Sequence, residues 1–249
     1  MRYFVKLAYN GIPFFGWQIQ PNRITVQAIL QDVFSRLLKQ PIIFTGCGRT
    51  DTGVHAKCFY AHFDCNIVLN VSEKNIFLRK VNSFLPKEIV VYNMYAVPPD
   101  AHARYDAIER TYRYYIAMQK DPFNFHFAYR FFMSLNVEKM NAAAEILLQT
   151  NDFTSFCKLH SQTSNNTCQV SCAKWYAKNG LLVFEITANR FLRNMVRAIV
   201  GTLLKVGKEK MSITCFQRVI EDKNRCSAGE SVPAHALFLE NVTYNYKFE

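Results

Sequence analysis

The chain has 249 residues, half of them hydrophobic and 20% charged, with 21 Phe and 13 Tyr. Such a composition buries a sizeable core and excludes a wholly disordered polymer. Thirty Lys and Arg against nineteen Asp and Glu leave a net charge of +11, which suits polyanionic partners, either nucleic acid or an anionic membrane surface.

No apolar run approaches the roughly 18 residues of a transmembrane helix. The first residues, Met1-Arg2-Tyr3-Phe4-Val5-Lys6, alternate and carry charge, unlike a signal peptide. The eight cysteines are scattered and read as reduced thiols. A cytoplasmic protein without membrane attachment is expected. His160 with Cys168 and Cys172 is the one group that suggests zinc. A single pair without a second is a weak signal, so no metal is expected.

Arg2–Tyr9 alternates as a strand and is broken by Gly11-Ile12-Pro13. From Thr25, a suitable N-cap, Val26, Ile29, Leu30, Val33, Phe34, Leu37 and Leu38 follow the spacing of an amphipathic helix. Ile42–Cys47 and Lys57–Phe63 read as strands around a polar, glycine-bracketed loop. A short helix near Glu73–Asn82 and a β-branched strand at Ile89–Val97 follow.

The pattern then begins again. Thr111–Met118 is strand-like, and Val137, Met140, Ala143, Ala144, Leu147 and Leu148 mark a helix. Val170–Ala177 and Leu181–Ala188 pair around Lys178-Asn179-Gly180, where Asn-Gly signals a hairpin. Helices are expected near Phe191–Lys205 and Ile213–Glu221, with a last strand at Leu237–Tyr246. Each half reads approximately as β-α-β-β-α-β, the split βαβ arrangement of ferredoxin-like and RNA-recognition folds. The expected class is α+β: two such units side by side, antiparallel sheets with helices on one face. The join is placed near Pro98-Pro99-Asp100, giving units 1–99 and 100–249. An open antiparallel face with basic and aromatic residues is a common platform for RNA.

The densest polar constellation is Gly46-Cys47-Gly48-Arg49-Thr50-Asp51-Thr52-Gly53-Val54-His55-Ala56. Its glycines permit positive φ and close backbone approach. A plain turn in which Asp51 caps neighbouring N–H groups is one reading. An aspartic protease is another, because Asp51-Thr52-Gly53 fits, but that chemistry needs two carboxylates sharing a proton. No second Asp-Thr-Gly or Asp-Ser-Gly is present.

Gly48–Ala56 resembles the active-site loop of the TruA family of tRNA pseudouridine synthases. Further matches run in the family's order: Tyr9-Asn10-Gly11, Phe15-Gly16-Trp17-Gln18-Ile19-Gln20, Val26-Gln27, His102-Ala103-Arg104, Arg110–Tyr114, Asn151–Phe156 and Asn194–Gly201. Together they span nearly the whole chain. Thr52 stands where the family usually has Ala, and Asn10 where Asp is common.

The resemblance implies isomerisation of uridine to pseudouridine in the tRNA anticodon stem-loop, at positions 38, 39 and 40 by the family's habit. Pseudouridylation is internal to the RNA, so no cofactor or metal is implied. Asp51 maps onto the catalytic aspartate, a carboxylate able to act as nucleophile or to stabilise developing positive charge. Whether it attacks sugar or base, or assists removal of a 2′ proton, is left open. Arg197 maps onto the family's C-terminal basic residue, an ion-pair partner that would keep Asp51 ionised. Tyr112 matches the tyrosine that stacks on the target uracil.

The target base must leave its stack, and Arg49 is suited to fill the vacated space or hold the flipped phosphate. His55 is read as ordering the loop, and Met195 and Ile199 as packing. Arg104, Arg193 and Lys205 are expected RNA contacts; Arg190–Lys210 alone holds six basic residues against Glu209. The partners implied are tRNA and a second copy in a homodimer. Two other functions remain beside this one. A non-catalytic RNA-binding module would account for charge and fold but not for the loop. A hydrolase using Asp51 with His55 would leave an abasic RNA.

Overall fold

A computed structural model of the protein describes residues 1–158 and 165–246. In chain order its first elements are β1 (Arg2–Tyr9), α1 (Val26–Leu38), β2 (Thr45–Gly46), β3 (His55–Asp64), α2 (Val71–Phe84) and β4 (Ile89–Val97). Then come β5 (Ala107–Ala117), β6 (Tyr129–Arg130), α3 (Val137–Glu145), β7 (Val170–Lys178), β8 (Leu181–Ala188), α4 (Met195–Gly207), α5 (Ile213–Glu221) and β9 (Leu237–Tyr244). The fold is mixed α+β.

Two compact units divide the chain: Met1–Ile108 together with Leu239–Glu249, and Glu109–Phe238. This differs from the expected division at residues 99 and 100, and the reason is packing of the last strand. Tyr244 donates from its hydroxyl to Ala103 O at 2.5 Å, Lys57 pairs with Glu240 at 2.7 Å, and Tyr244 sets its ring edge-on to Phe4 at 5.6 Å. Those contacts tie both 101–108 and the C-terminal strand to the first unit.

In the first unit the strand order is β4-β1-β3-β9, with β2 also on β3. β1 runs antiparallel to both β3 and β4, and each ladder carries a register shift near Leu7. Such irregularities bend a strand and re-aim its end. α1 begins at the expected cap, with the Thr25 side chain accepting from Ala28 N, and buries Val26, Leu30, Val33, Phe34 and Leu38. Phe34 meets Phe44 and Phe63 edge-on at 4.9 and 5.3 Å. Burying a side chain of this size contributes roughly 1.5–3 kcal/mol.

The strand expected at Ile42–Cys47 contracts to Thr45–Gly46. Side chains of α1 take the place of a neighbouring strand there: Ile42 N donates to Ser35 Oγ at 2.9 Å, Phe44 N to Gln31 Oε1 at 3.1 Å, and Gln27 Nε2 to Phe44 O at 2.7 Å. The backbone groups are satisfied without a ladder.

The second unit has the strand order β5-β8-β7, all antiparallel, with β6 parallel to the end of β5. The hairpin expected at Lys178-Asn179-Gly180 is present, with φ of +50° at Asn179 and +75° at Gly180. Tyr114, Phe184 and Trp175 are buried on one sheet face beneath the helices. α4 is the central helix, buried at ten of its thirteen positions. The remaining three, Arg197, Gly201 and Lys205, are spaced by four and form one stripe.

Candidate active site

In the first unit, Asp51 occupies the turn between β2 and β3. The Asp51 carbonyl accepts from Val54 N at 3.1 Å, and Gly53 has φ of +79°. Asp51 itself is half-buried, whereas Arg49 is exposed and Thr50 buried. The buried Thr50 hydroxyl lies 2.8 Å from the Tyr9 hydroxyl at the end of β1, which fixes the residue preceding Asp51. On the other side His55, fully buried, accepts from Gly11 N at its Nδ1 at 3.1 Å. That bond ties the loop to the turn after β1. This agrees with the loop-ordering role read for His55.

A third segment closes on the loop from Gly16 and Trp17. Trp17 N donates to Thr50 O at 3.3 Å. Gly16 has φ of +83°, and a Cβ there would lie 2.4 Å from Thr50 O and 3.2 Å from the Asp51 carbonyl carbon. Only glycine permits that conformation and that approach together. Below, Trp17 stacks on Phe59 of β3 at 4.2 Å, and Tyr9 tilts against Phe59 at 5.6 Å. The carboxylate therefore rides on a backbone braced by β1, the Gly16 segment and β3. Arg104, also in this unit, is exposed, with its guanidinium 5.6 Å from the centre of the Tyr105 ring.

In the second unit, Tyr112 stands on β5 opposite Ile186, half-buried, with its ring edge-on to Phe191 at 5.0 Å. Its neighbours serve structure. Tyr114 is fully buried and donates to Pro233 O at 3.0 Å. Arg113 pairs with Glu185 at 2.6 Å, and Tyr176 donates to the same carboxylate at 3.1 Å. Burial pushes the Glu185 carboxyl up, but the Arg113 and Tyr176 hydrogen bonds and the charges of Arg113 and Lys174 outweigh it, holding the group below the usual range.

Arg197 lies in the first turn of α4. Its Nε donates to Val232 O at 2.7 Å, and Val232 N returns a bond to Arg197 O at 3.3 Å. The segment carrying Val232 lies against the helix because position 201 is glycine: a Cβ there would fall 1.8 Å from Glu230 O. Gly229 N donates to Thr202 Oγ1 at 2.8 Å, and Asn194 Nδ2 to Ser231 Oγ at 2.5 Å. Burial and Tyr129 raise the Tyr114 phenol well above its ordinary value, while the positive charge of Arg197 pulls it down. Arg197 thus belongs to the Tyr114 surroundings. Met195 and Ile199 are buried as packing residues. Arg193, ahead of the helix, is exposed; Lys205 is half-buried on the Arg197 stripe.

Of the residues singled out in the sequence, Asp51, Arg49 and Arg104 are thus in the first unit. Tyr112, Arg193, Arg197 and Lys205 are in the second. Positioning roles escaped the sequence reading: the Tyr9–Thr50 bond, the Gln27 bridge and the Gly229–Val232 strap. Tyr9 and Gln27 lay inside recognised motifs, but nothing in Gly229–Val232 signalled a strap beyond its glycine.

His160, part of the weak zinc signal, lies outside the described residues, so only Cys168 and Cys172 of that group are described. Cys168 is buried, with Sγ 4.0 Å from Met195 Sδ, and burial raises its thiol to about 11. Cys172 is half-buried. Among the described residues, no three His, Cys, Asp or Glu side chains cluster as metal ligands, and no helix is long and apolar enough to cross a membrane.

Residues 143–245 match the family model described as tRNA pseudouridine synthase. Over 243 residues the chain is 49% identical to tRNA pseudouridine synthase A of Azobacteroides pseudotrichonymphae genomovar. CFP2, covering 98% of this chain and 96% of that one. The protein of that name from Parabacteroides distasonis is also 49% identical over the same shares. The one from Clostridium acetobutylicum is 38% identical over 96% of this chain and 98% of its own. Identity at this level from end to end means that the chain belongs to the tRNA pseudouridine synthase A family.

Proposed function

We propose that this protein isomerises uridine to pseudouridine in the anticodon stem-loop of tRNA, at positions 38, 39 and 40, with Asp51 as the catalytic nucleophile. The observation that carries the reading is the bracing, by Tyr9, Gly11 and Gly16, of the loop backbone that bears the half-buried Asp51 in a chain of this family. A carboxylate held this way meets a reaction that cleaves the N1–C1′ bond, turns the base and joins C5 to C1′. The carboxylate attacks, or stabilises the electron-poor centre, and is regenerated. Nothing is oxidised and no group is donated, so the atoms balance without a cofactor.

The other residues take supporting roles in this reading. Tyr112 stacks on the uracil, as its half-buried ring allows. Arg49, exposed two residues before Asp51, fills the gap left by the flipped base or binds its phosphate. Arg197 supplies the basic group that the family pattern assigns to the reaction, and its Nε bond to Val232 orients the guanidinium. Arg104, Arg193 and Lys205 hold the RNA backbone, in keeping with the net charge of +11.

The protein works in the cytoplasm as a homodimer on tRNA, and each half has a ferredoxin-like split βαβ plan. The order β4-β1-β3 with β2 outside β3, all antiparallel, supports that plan for the first half. The direct test is to incubate the purified protein with unmodified tRNA and map pseudouridine by base-specific chemical labelling. Label at positions 38 to 40 is the expected result. Intact, unlabelled tRNA would leave a binder, and released uracil a hydrolase.

A further inference from the structure

The segment joining β1 to α1 has surface residues that the chemistry above does not use. Its neck is closed by three backbone bonds: Phe15 N to Ile24 O at 2.9 Å, Val26 N to Gly16 O at 3.2 Å, and Gln27 N to Trp17 O at 3.0 Å. Gln20 Nε2 adds a bond to Phe15 O at 2.7 Å, and Ile19 N donates to Gln27 Oε1 at 3.0 Å. These rungs set Phe15 and Arg23 across from each other. The Arg23 guanidinium carbon lies 4.4 Å from the centre of the Phe15 ring, a close cation–π stack.

Apolar side chains lie open around this pair. Phe15 is 37% exposed and Ile24 62%, with Ile12 and Ile19 exposed beside them. The plate is also next to the reacting carboxylate in the backbone. Gly16, the residue after Phe15, is the one whose Cβ position is 3.2 Å from the Asp51 carbonyl carbon. An aromatic ring stacked with a guanidinium fits an unpaired nucleobase and its phosphate: the base stacks on the outer face of the pair, and the positive charge attracts the backbone. Local charge and continuity with the Asp51 loop both favour RNA as the occupant.

We propose that the Phe15–Arg23 pair is a positioning plate on which a nucleobase beside the target uridine stacks. The inference rests on the tRNA reading above and deepens it, because it assigns recognition to the neighbouring nucleotide rather than to the target. An extruded base leaves its neighbours with an open stacking face, and the plate supplies the missing layer.

The test uses a tRNA anticodon arm carrying 2-aminopurine next to the target uridine, whose fluorescence falls when the base is stacked. Full-length wild type, Phe15→Leu, Phe15→Trp and Arg23→Gln are compared for binding fluorescence, KM and kcat, after thermal melting shows each to be folded. Phe15→Leu keeps an apolar side chain but removes the ring. It is expected to leave the probe bright when bound and to raise KM about tenfold, with kcat within about twofold. Phe15→Trp restores quenching and KM, and Arg23→Gln gives an intermediate loss. A side chain that merely pinned the loop would lower the melting temperature or kcat and leave the probe quenched. Quenching and KM unchanged in both Phe15→Leu and Arg23→Gln overturn the plate. Should the wild type bind the arm without forming pseudouridine, the isomerase reading fails and the fluorescence comparison alone decides the plate.

Discussion

Asp51 sits on a loop braced by segments distant in sequence, whereas Arg197 rises from a helix buried at ten of its thirteen positions. The loop has no regular ladder of its own. It is held by the Tyr9 hydroxyl, the Gly11 amide and the backbone beside Gly16. The helix needs no such help to exist, and only the aim of Arg197 is adjusted, by the strap at Val232. The same task of holding one charged side chain is thus met by backbone contacts in one case and by a packed scaffold in the other. Changes around Asp51 should therefore act on geometry and chemistry together, while changes around Arg197 should separate into charge and anchoring.

The largest expected effect is at the carboxylate itself. Asp51→Asn keeps the shape of the loop but removes the negative charge, so pseudouridine formation should fall to a few per cent of wild type or less. Affinity for tRNA should change by less than about tenfold, since phosphate contacts elsewhere supply it. Filter binding and tritium release from labelled uridine measure the two quantities. Substantial turnover by this variant would remove Asp51 from the mechanism.

Arg197 tests the other side of the comparison. On the proposed reading Arg197 serves the reaction rather than RNA affinity, so Arg197→Met should lower the single-turnover rate by about tenfold or more with a smaller change in affinity. Arg197→Lys keeps the charge but not the planar fork and should retain part of the rate. Arg193→Met and Lys205→Met should instead weaken binding and flatten its salt dependence. If Arg197→Met and Arg193→Met behave alike in both measurements, Arg197 is a phosphate contact.

A smaller effect is expected from Gly16→Ala. The new Cβ meets Thr50 O and forces a residue with positive φ, which costs roughly 1–3 kcal/mol of stability where the neighbours cannot move. Because Gly16 touches the backbone of Asp51, the rate should fall as well. Denaturant melts and single-turnover kinetics on one preparation would show both losses. Loss of stability with full activity would mean that the Gly16 segment shapes the fold and not the site.

The sequence made visible what depends on local pattern. Strands Arg2–Tyr9, Ile89–Val97 and Leu181–Ala188 appear with the expected bounds, as do the Thr25 cap and the helix Ile213–Glu221. Alternation, helical spacing and cap chemistry act between near neighbours, so they can be read along the chain. What escaped was long-range. Ile42–Cys47 has strand-like residues, but side chains of α1 satisfy its backbone and the ladder shrinks to Thr45–Gly46. The helix expected from Phe191 begins only at Met195, after Asn194 turns to φ of +67°. The return of the last strand to the first unit also had no local signal. At the site, Asp51 stood out through its dense polar motif, while Tyr9 and Gly16 acquire their roles only when the chain folds them against Thr50.

The smallest expected effect concerns the Tyr9–Thr50 hydrogen bond, and it measures how much of the loop's order rests on one contact. Both hydroxyls are buried, so Tyr9→Phe leaves Thr50 without this partner and should cost about 1 kcal/mol, with Thr50→Val costing a similar amount. The double variant removes both polar groups at once and should cost less than the sum, because neither hydroxyl is stranded. Loss of rate should track loss of this coupling, since Thr50 precedes Asp51 directly. A double-mutant cycle in urea gives the interaction free energy, and the same four proteins give single-turnover rates. If the stabilities add without coupling, the hydroxyl pair contributes nothing to holding the loop. Its order would then rest on Gly11, Gly16 and the Trp17–Phe59 stack, and Tyr9→Phe would leave the rate unchanged.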